Sequence, residues 1–272
     1  MFSCFNALIN SMLGIFGGSG FYELLNNLEE VEVGTPYGLP SDKLMKGEFE
    51  GRGVVFLPRH ARGHKIPPHK INYRANLWAM KELGVSKILA PCAVGSLHRE
   101  IMPGTFVVCD SYIDRTRRRE DTFFDGPKVC HMSSVDPYCD SLRSRVLNAC
   151  KKIGVNHKDS GALVVINGPR FSTIPESKWF STFADIIGMT GYPEVVLANE
   201  LGICIANISL VTDYDACLHK EANFSASSAQ EILETFNKNI ENVKKVIFEI
   251  IRSADMSECQ RCKEKVMQSK FN

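Results

Sequence analysis

The sequence predicts a single α/β domain, because short apolar runs rich in β-branched residues alternate with segments long enough for helices. The 272 residues, 44% apolar and 23% charged, contain no repeat and no linker that would divide the chain. The predicted strands are Leu13–Phe16, Val54–Leu57, Lys87–Ala90, Thr105–Cys109, Ala162–Ile166 and Ile203–Val211. The predicted helices are Asn72–Leu83, Asp140–Ile153 and Glu194–Leu201.

The last long element gives the clearest helix signal. Ser227 and Gln230 fit a capping box. The apolar residues that follow at helical spacing are Ile232, Phe236, Ile240, Val243, Ile247 and Ile250. We expect this helix to pack across the sheet. The sequence therefore predicts an N-terminal extension at 1–12, one domain at 13–252 and a polar tail at 253–272.

The charge balance favours small-molecule chemistry. Lys and Arg number 32 against 31 Asp and Glu, so no net field attracts nucleic acid or an anionic membrane. No apolar run is long enough to span a bilayer, and the opening residues lack the features of a signal peptide, so we expect a cytoplasmic protein. The basic run 115–119 is followed by Glu120 and Asp121, which predicts a loop that neutralises its own charge.

The ten cysteines predict no metal site. Cys259 and Cys262 form a lone C-x-x-C in the polar tail, with no second pair and no nearby histidine, which argues against zinc. A disulfide in the tail stays open, and so does pairing of Cys139 with Cys204.

Two strand ends carry groups suited to an anion. Gly17-Gly18-Ser19-Gly20 follows an apolar strand and offers backbone N–H groups and a hydroxyl, although a plain tight turn explains it almost as well. It is not a dinucleotide motif, because Glu23 occupies the place of the third glycine. Arg59-His60 follows a second strand, and the planar donor fork of arginine suits a phosphate dianion.

Two further segments add polar groups. Gly188–Glu194 brings the Thr190 hydroxyl into a turn, where Glu194 opens the next helix or is simply a favourable first-turn acid. Thr212-Asp213-Tyr214-Asp215 closes the strand Ile203–Val211, and alternation points both carboxylates to the same side if the chain stays extended. On their own, two such acids equally fit a turn or a helix cap.

Spaced motifs extend over nearly the whole chain, from about Leu13 to Ile251. They are Gly17-Gly18-Ser19-Gly20, Arg59-His60-Ala61-Arg62-Gly63-His64, Asn72-Tyr73-Arg74-Ala75-Asn76, Ala93-Val94-Gly95-Ser96-Leu97, Asp125-Gly126, Gly168-Pro169-Arg170-Phe171-Ser172, Met189-Thr190, Pro193-Glu194 and Thr212-Asp213-Tyr214-Asp215. Together they resemble the nucleoside phosphorylase superfamily and, within it, the 5'-methylthioadenosine phosphorylases. The resemblance implies a twisted mixed β-sheet flanked by helices, a trimer or dimer of trimers, and no metal or organic cofactor, with phosphate as co-substrate.

The resemblance also implies roles for individual residues. Phosphate is expected to bind Ser19, Arg59, His60 and Thr190. The nucleoside is expected to bind Met189 under the ribose and Phe171, Ala93, Val94 and Gly95 around the base. A 5'-methylthio group is expected to contact Ile232 and Leu233. Thr212, and His131 from a neighbouring subunit, are also expected to bind the substrate. Cys92 stands where the family more often has a phosphate-binding threonine, so that contact is expected to be weak or lost. Gly188 and Gly191 replace residues that are usually bulkier.

These residues predict phosphorolysis of a purine nucleoside, with S-methyl-5'-thioadenosine as the preferred substrate. Asp213, its pKa raised by burial beside Asp215, is expected to protonate purine N7, and Asp215 to accept a hydrogen bond from a 6-amino group. Gly188 and Gly191 keep a 6-oxopurine nucleoside or methylthioinosine phosphorylase open. A hydrolase would leave the Arg59-His60 site without its ligand. A non-catalytic nucleoside-binding sensor is the alternative from another class.

Overall fold

The computed structural model describes residues 12–17, 26–218, 229–253 and 259–269. The strands in these ranges are β1 (Met12–Phe16), β2 (Asn26–Val31), β3 (Leu44–Phe49), β4 (Arg52–Leu57), β5 (Val85–Ser96), β6 (Phe106–Val107), β7 (Ser111–Arg115), β8 (His157–Lys158), β9 (Ala162–Ile166), β10 (Ile186–Gly188) and β11 (Cys204–Tyr214). The α-helices are α1 (Tyr73–Glu82), α2 (Asp140–Ile153), α3 (Ile174–Phe180), α4 (Glu194–Glu200), α5 (Ala229–Ser253) and α6 (Gln260–Ser269). The predicted α/β fold, a mixed sheet flanked by helices, is confirmed.

The strand β5 is the centre of the sheet. It runs parallel to β1 on one side and to β11 on the other, and its last residues pair antiparallel with β10. The sheet order is β2-β3-β4-β1-β5-β10-β9-β7, with β11, β6 and β8 continuing from the other side of β5. Because β4, β1, β5 and β11 are parallel, their carboxyl ends lie at one edge, where ligands bind in open α/β sheets.

The apolar core lies on both faces of the sheet, because successive side chains of a strand point to opposite faces. In β4, Val55 and Leu57 belong to a cluster that includes residues of α1 and α4. Val54 and Phe56 belong to a second cluster, with residues of α2 and α5. The helices therefore cover a sheet whose central strands are apolar on both sides. Polar residues at the ends of these strands are not needed for the core, which makes them candidates for a functional site.

The strands β5 and β11 are longer than predicted. The prediction ended at Ala90, before Pro91, but β5 continues to Ser96. On the side that faces β1 and β10, the ladder stops at Leu89 and resumes at Gly95, so a missing N–H at Pro91 breaks no pairing there. The strand β11 likewise continues past Val211 to Tyr214, because β5 remains its partner.

Short or weakly apolar elements were missed by the prediction. They are β2, β3, β7, β8, β10, α3 and α6. The predicted strand Thr105–Cys109 is reduced to β6. Ser227, half of the predicted capping box, lies outside the described residues. Within the described ranges, no helix combines the length and apolar character that a membrane crossing requires.

The segment predicted as a polar tail contains α6, and α6 brings cysteines to the core. Cys259 and Cys262 lie beside Cys139, which precedes α2, and Cys204, which begins β11. The four sulfur atoms, here called the four-thiol cluster, all lie within 4.8 Å of one another, and all four thiols are free. The expectation that no second pair lies near the C-x-x-C is wrong, because the fold supplies Cys139 and Cys204 from distant positions in the chain.

Candidate active site

A buried arginine marks the anion-binding end of the site. Arg59 follows β4, and its Nη1 donates a hydrogen bond to Thr190 Oγ1 at 3.1 Å, in the turn between β10 and α4. Its Nε lies 3.0 Å from Glu194 Oε1, but the geometry is that of an ion pair without a hydrogen bond. Arg59 Nη2 and both Glu194 oxygens have no hydrogen-bond partner among the described residues. The guanidinium therefore keeps donors for an anion.

The ion-pair partner of Arg59 was not among the predicted site residues. Glu194 is 1% exposed, and burial raises its pKa, while the positive charges of Arg59 and Arg119 oppose that rise. Its place directly after a proline, at the first position of α4, resembles an ordinary first-turn acid. Only its burial against Arg59 distinguishes it, and the sequence does not contain that contact.

His60 lies beside this pocket as a neutral imidazole. Its Nδ1 lies 2.9 Å from the carbonyl oxygen of Ile66, and its ring stacks on the ring of His64. Because a carbonyl only accepts hydrogen bonds, we assign the proton to Nδ1, which leaves Nε2 as an acceptor. Burial lowers the pKa of His60 to about 4, and nearby positive charge contributes. His60 was expected to donate a hydrogen bond to phosphate. It can do so through Nε2 only when it is protonated, so a bound anion must first raise this pKa.

Cys92 lies in a small buried polar group. Asn207 Nδ2 donates to its sulfur at 3.4 Å, and Ser209 Oγ lies 3.3 Å away. Burial raises the pKa of the Cys92 thiol, so it is neutral, and the charges of Arg59 and Glu194 also act on it. A neutral thiol with these partners is a weak ligand for phosphate, in line with the expectation for this position.

The basic run does not neutralise itself, contrary to the sequence-based expectation. Glu120 pairs with Arg74, and Asp121 accepts a hydrogen bond from the Tyr192 hydroxyl. Arg119 points inward instead, and its guanidinium donates to the Tyr73 hydroxyl and to main-chain carbonyls. Those carbonyls belong to Ile166, Asn167, Met189 and Tyr192. Arg119 therefore fixes the turn that carries Met189 and Thr190, a role that no local pattern in the sequence indicated.

Two carboxylates lie at the other end of the site. Asp213 and Asp215 extend from the end of β11, and a bulge between Val211 and Asp213 makes Thr212 the extra residue. A Cβ placed on Gly95 would lie 3.4 Å from Asp215 Cβ and 3.6 Å from Asp213 Oδ2. Both aspartate side chains therefore lie on the same side of Gly95 as Ile187, which agrees with the prediction that they share one side.

The environments of the two carboxylates differ. Burial raises the pKa of Asp213 to about 7, the negative charge of Asp215 adds to the rise, and a hydrogen bond from Thr212 opposes it. Thr212 Oγ1 lies 2.8 Å from Asp213 Oδ1 and 3.2 Å from the carbonyl oxygen of Val94. Asp215 Oδ2 accepts a hydrogen bond of 2.6 Å from Ser172, which the prediction did not assign to the site. Near neutral pH, Asp213 can hold a proton.

Three residues that are predicted to contact the nucleoside have exposed or half-buried side chains. Met189 is half-buried, and its sulfur lies 2.7 Å from where a Cβ of Gly168 would stand. Ala93 is exposed although its neighbours Cys92 and Val94 are buried, so β5 is accessible to a ligand there. Phe171 is 50% exposed, which leaves its ring free to cover a bound base.

The remaining predicted residues are not brought to this site within the described chain. Ser19 lies outside the described residues, as do the side chains of Ile232 and Leu233 in α5. His131 is exposed, and its N–H donates to the carbonyl oxygen of Ser269 at the end of α6. Its contribution to a neighbouring subunit stays a prediction.

The site therefore combines opposite chemistries at two ends. One end is cationic, with unpaired donors of Arg59 next to the Thr190 hydroxyl. The other end offers Asp213 as an acid beside the acceptor Asp215. The β5 segment 92–96 connects them, since the charge of Arg59 acts on Cys92 and Gly95 pairs with Asp213. Such a site can hold an anionic nucleophile at one end and protonate a leaving group at the other.

Comparison with known proteins identifies the family of the chain. Residues 12–252 match the family model described as the phosphorylase superfamily, and the chain belongs to that superfamily. It is 49% identical over 235 residues to the S-methyl-5'-thioadenosine phosphorylase of Pyrococcus abyssi, covering 86% of this chain and 90% of the relative. It is 44% identical over 263 residues to the purine nucleoside phosphorylase of Streptomyces coelicolor, covering 93% of each chain.

A solved structure of a methylthioadenosine phosphorylase has the same fold as this chain. The methylthioadenosine phosphorylase from Schistosoma mansoni in complex with adenine superposes with a TM-score of 0.89 at 36% identity. The match covers 95% of this chain and 98% of that one. The fold and nearly the whole length of the chain are therefore shared with an enzyme of this kind.

Proposed function

We propose that the protein cleaves S-methyl-5'-thioadenosine with phosphate, giving adenine and S-methyl-5-thioribose 1-phosphate. The observation that carries the proposal is that one edge of the parallel strands bears both Asp213, whose pKa is about 7, and the buried Arg59, which retains free donors. The similarity to S-methyl-5'-thioadenosine phosphorylases supports the same reaction.

The anion end positions the nucleophile. Arg59 and the Thr190 hydroxyl hold phosphate below the sugar, with Ser19 as a third contact. His60 accepts a proton or a hydrogen bond through Nε2, and the charge of the dianion favours its protonated form. Holding phosphate next to C1' converts a bimolecular attack into an intramolecular one, which lowers its entropic cost.

The acid end stabilises the leaving group. A phosphate oxygen forms the new bond to C1' as the bond from C1' to N9 breaks, and the electron pair of that bond passes to the purine. Asp213 donates its proton to N7, so adenine leaves as a neutral base. The raised pKa of Asp213 matters because a carboxyl with an ordinary pKa has lost this proton at neutral pH.

The second carboxylate selects the base. Ser172 occupies Oδ2 of Asp215, so Oδ1 remains to accept a hydrogen bond from a 6-amino group. A 6-oxo group places an acceptor against this oxygen, which is repulsive. Polar contacts of this kind discriminate between substrates by as much as about four orders of magnitude.

The rest of the substrate contacts the predicted lining. Met189 lies under the ribose, Phe171 covers the base, and Ile232 and Leu233 receive the methylthio group. His131 comes from a neighbouring subunit, so the active form is a trimer or a dimer of trimers. We further propose that the enzyme acts in the cytoplasm without a metal or organic cofactor in catalysis.

A second candidate is a phosphorylase of 6-oxopurine nucleosides or methylthioinosine. It is favoured by Gly188 and Gly191, and the Streptomyces coelicolor relative is named a purine nucleoside phosphorylase. A Cβ at Gly188 would lie 3.2 Å from Val94 and 3.3 Å from Leu163, so the wall of the base site is packed around a glycine. That packing alters the shape of the site, but the acceptor Asp215 still favours the 6-amino base.

The experiment compares phosphate-dependent base release from methylthioadenosine, adenosine, methylthioinosine and inosine. We expect the highest kcat/KM for methylthioadenosine and no release when phosphate is omitted. A higher kcat/KM for a 6-oxo substrate assigns the second candidate, and release without phosphate identifies a hydrolase. Binding of nucleoside without turnover at saturating phosphate identifies a non-catalytic sensor.

A further inference from the structure

The four-thiol cluster has the geometry of a tetrahedral metal site. All of its sulfur atoms lie within 4.8 Å of one another, and the Cys139 and Cys259 sulfurs are 3.9 Å apart. A zinc ion with four Zn–S bonds of about 2.3 Å places its sulfurs about 3.8 Å apart. Two separate disulfides need close approach only within each pair. Here every sulfur is a neighbour of every other one, as a shared central ion requires.

The backbone around the cluster suits negatively charged thiolates. Cys139 immediately precedes α2, and the C-x-x-C pair lies at the start of α6, so the positive ends of two helix dipoles meet there. The spacing of Cys259 and Cys262 is the short one common in zinc sites. Arg261, between them, pairs with Asp136 and Asp140 and so fastens α6 to the start of α2.

We propose that the four-thiol cluster binds one zinc ion as a structural site. On binding, the four thiols lose their protons to solvent, the zinc keeps its oxidation state, and the site carries a net charge of about −2. All four coordination positions are filled by sulfur, so no position remains for a substrate. Zinc is favoured over harder divalent cations because thiolate is a soft ligand.

The four-thiol cluster lies away from the candidate active site, and it holds the start of α6 against the core. Cys204 and Asp213 belong to the same strand, nine residues and roughly 30 Å apart at about 3.3 Å per residue. The far end of α6 holds the segment at 131–132, through the His131 N–H and through Ser269 Oγ, which lies 3.3 Å from Met132 Sδ. Loss of the metal therefore loosens α6 and this segment before it alters the acid and anion ends.

The first test measures zinc in the full chain, produced with zinc in the medium and purified without oxygen. We expect about one zinc per chain in the wild type and in the control variant Cys130→Ser, a half-buried cysteine outside the cluster. The variant Cys259→Ser/Cys262→Ser is expected to bind no zinc. Its melting temperature is expected to fall below that of wild type and of Cys130→Ser.

A second measurement uses the wild type alone, so it holds even if the variant fails to fold. Replacement of zinc by cobalt(II) is expected to give the intense visible absorption of a tetrahedral thiolate site, and chelation is expected to speed hydrogen exchange at the His131 amide. Wild-type protein without zinc, whether its thiols are free or its mass shows two disulfides, overturns the proposal. Zinc retained by the double-serine variant also overturns it.

Discussion

Arg59 and Glu194 form an ion pair in the interior, with Nε 3.0 Å from Oε1 and neither side chain more than 4% exposed. The pair joins the end of one strand to the start of α4, and Arg59 also donates to Thr190. Burying two charges is costly, and breaking such a pair is costlier still, because the remaining charge loses its partner. The candidate phosphate site is therefore built around a positive charge that is paired with the buried Glu194.

Replacement of Glu194 by Gln is expected to lower the free energy of unfolding by about 3–5 kcal/mol in phosphate-free buffer, and so to lower the melting temperature. Saturating phosphate is expected to restore more stability in this variant than in wild type, because the dianion replaces the missing charge. Thermal melts with and without phosphate measure both effects. Glu200→Gln is the control, since Glu200 is buried but bonds Thr122 and the Phe123 N–H. Equal phosphate shifts in both variants would contradict the assignment.

Replacement of Asp213 by Asn is expected to lower kcat by roughly 10²–10⁴, because the amide cannot transfer a proton to N7. In wild type, kcat is expected to fall as the pH rises above about 7, where Asp213 loses its proton. Rate profiles from about pH 6 to about pH 9 measure both effects. Asp114→Asn, at an exposed aspartate, serves as the control. Near-normal turnover of Asp213→Asn would remove Asp213 as the acid.

The same pKa predicts how Asp213 affects stability. Its pKa rises from 3.8 to about 7 on folding, so the folded protein binds this proton more tightly than the unfolded chain. Below about pH 4 the carboxyl is protonated in both states and does not change the free energy of unfolding. As the pH rises to about 7 it lowers the free energy of unfolding progressively, by at most about 4 kcal/mol. The melting temperature of Asp213→Asn minus that of wild type is expected to grow over this range and then level off. A difference that does not change with pH would contradict the raised pKa.

Replacement of Asp215 by Asn is expected to change base preference more than turnover. The Asn side chain can donate to a 6-oxo group, so the ratio of kcat/KM for methylthioadenosine over methylthioinosine is expected to fall by at least about tenfold. Ser172→Ala, which removes the hydrogen bond to Asp215 Oδ2, is expected to shift the ratio less, in the same direction. Assays of both substrates with each variant decide this. An unchanged ratio in Asp215→Asn would show that Asp215 does not contact the base.

Replacement of Arg119 by Lys is expected to raise KM for both phosphate and nucleoside, because an ammonium cannot reach the carbonyls of Met189 and Tyr192 together. Initial rates at varied phosphate and at varied nucleoside measure the two KM values. The pH dependence of kcat is expected to stay as in wild type, since Arg119 positions the turn and transfers no proton. Arg117→Ala is the control, because Arg117 is exposed. Similar KM values in Arg119→Lys and Arg117→Ala would contradict the positioning role.

The sequence by itself determined the fold class and several of the polar groups at the strand ends. Apolar periodicity predicted the central strands and helices, and the motif at Thr212–Asp215 predicted two carboxylates on one side. Local pattern suffices for such features because strand alternation and helix spacing are set by backbone geometry. The anion donors Arg59 and Thr190 were also predicted, and the structure joins them by a hydrogen bond.

Only the tertiary structure decided which distant side chains meet. Glu194 looked like a first-turn acid until burial placed it against Arg59, and Arg119 looked like part of a self-neutralising loop until its donors reached four carbonyls. The four-thiol cluster brings together Cys139 and Cys259, which are 120 positions apart in the chain, with Cys204 and Cys262. Contacts of this kind depend on how strands and helices are ordered in space, and the periodicity of a single segment contains no information about that order.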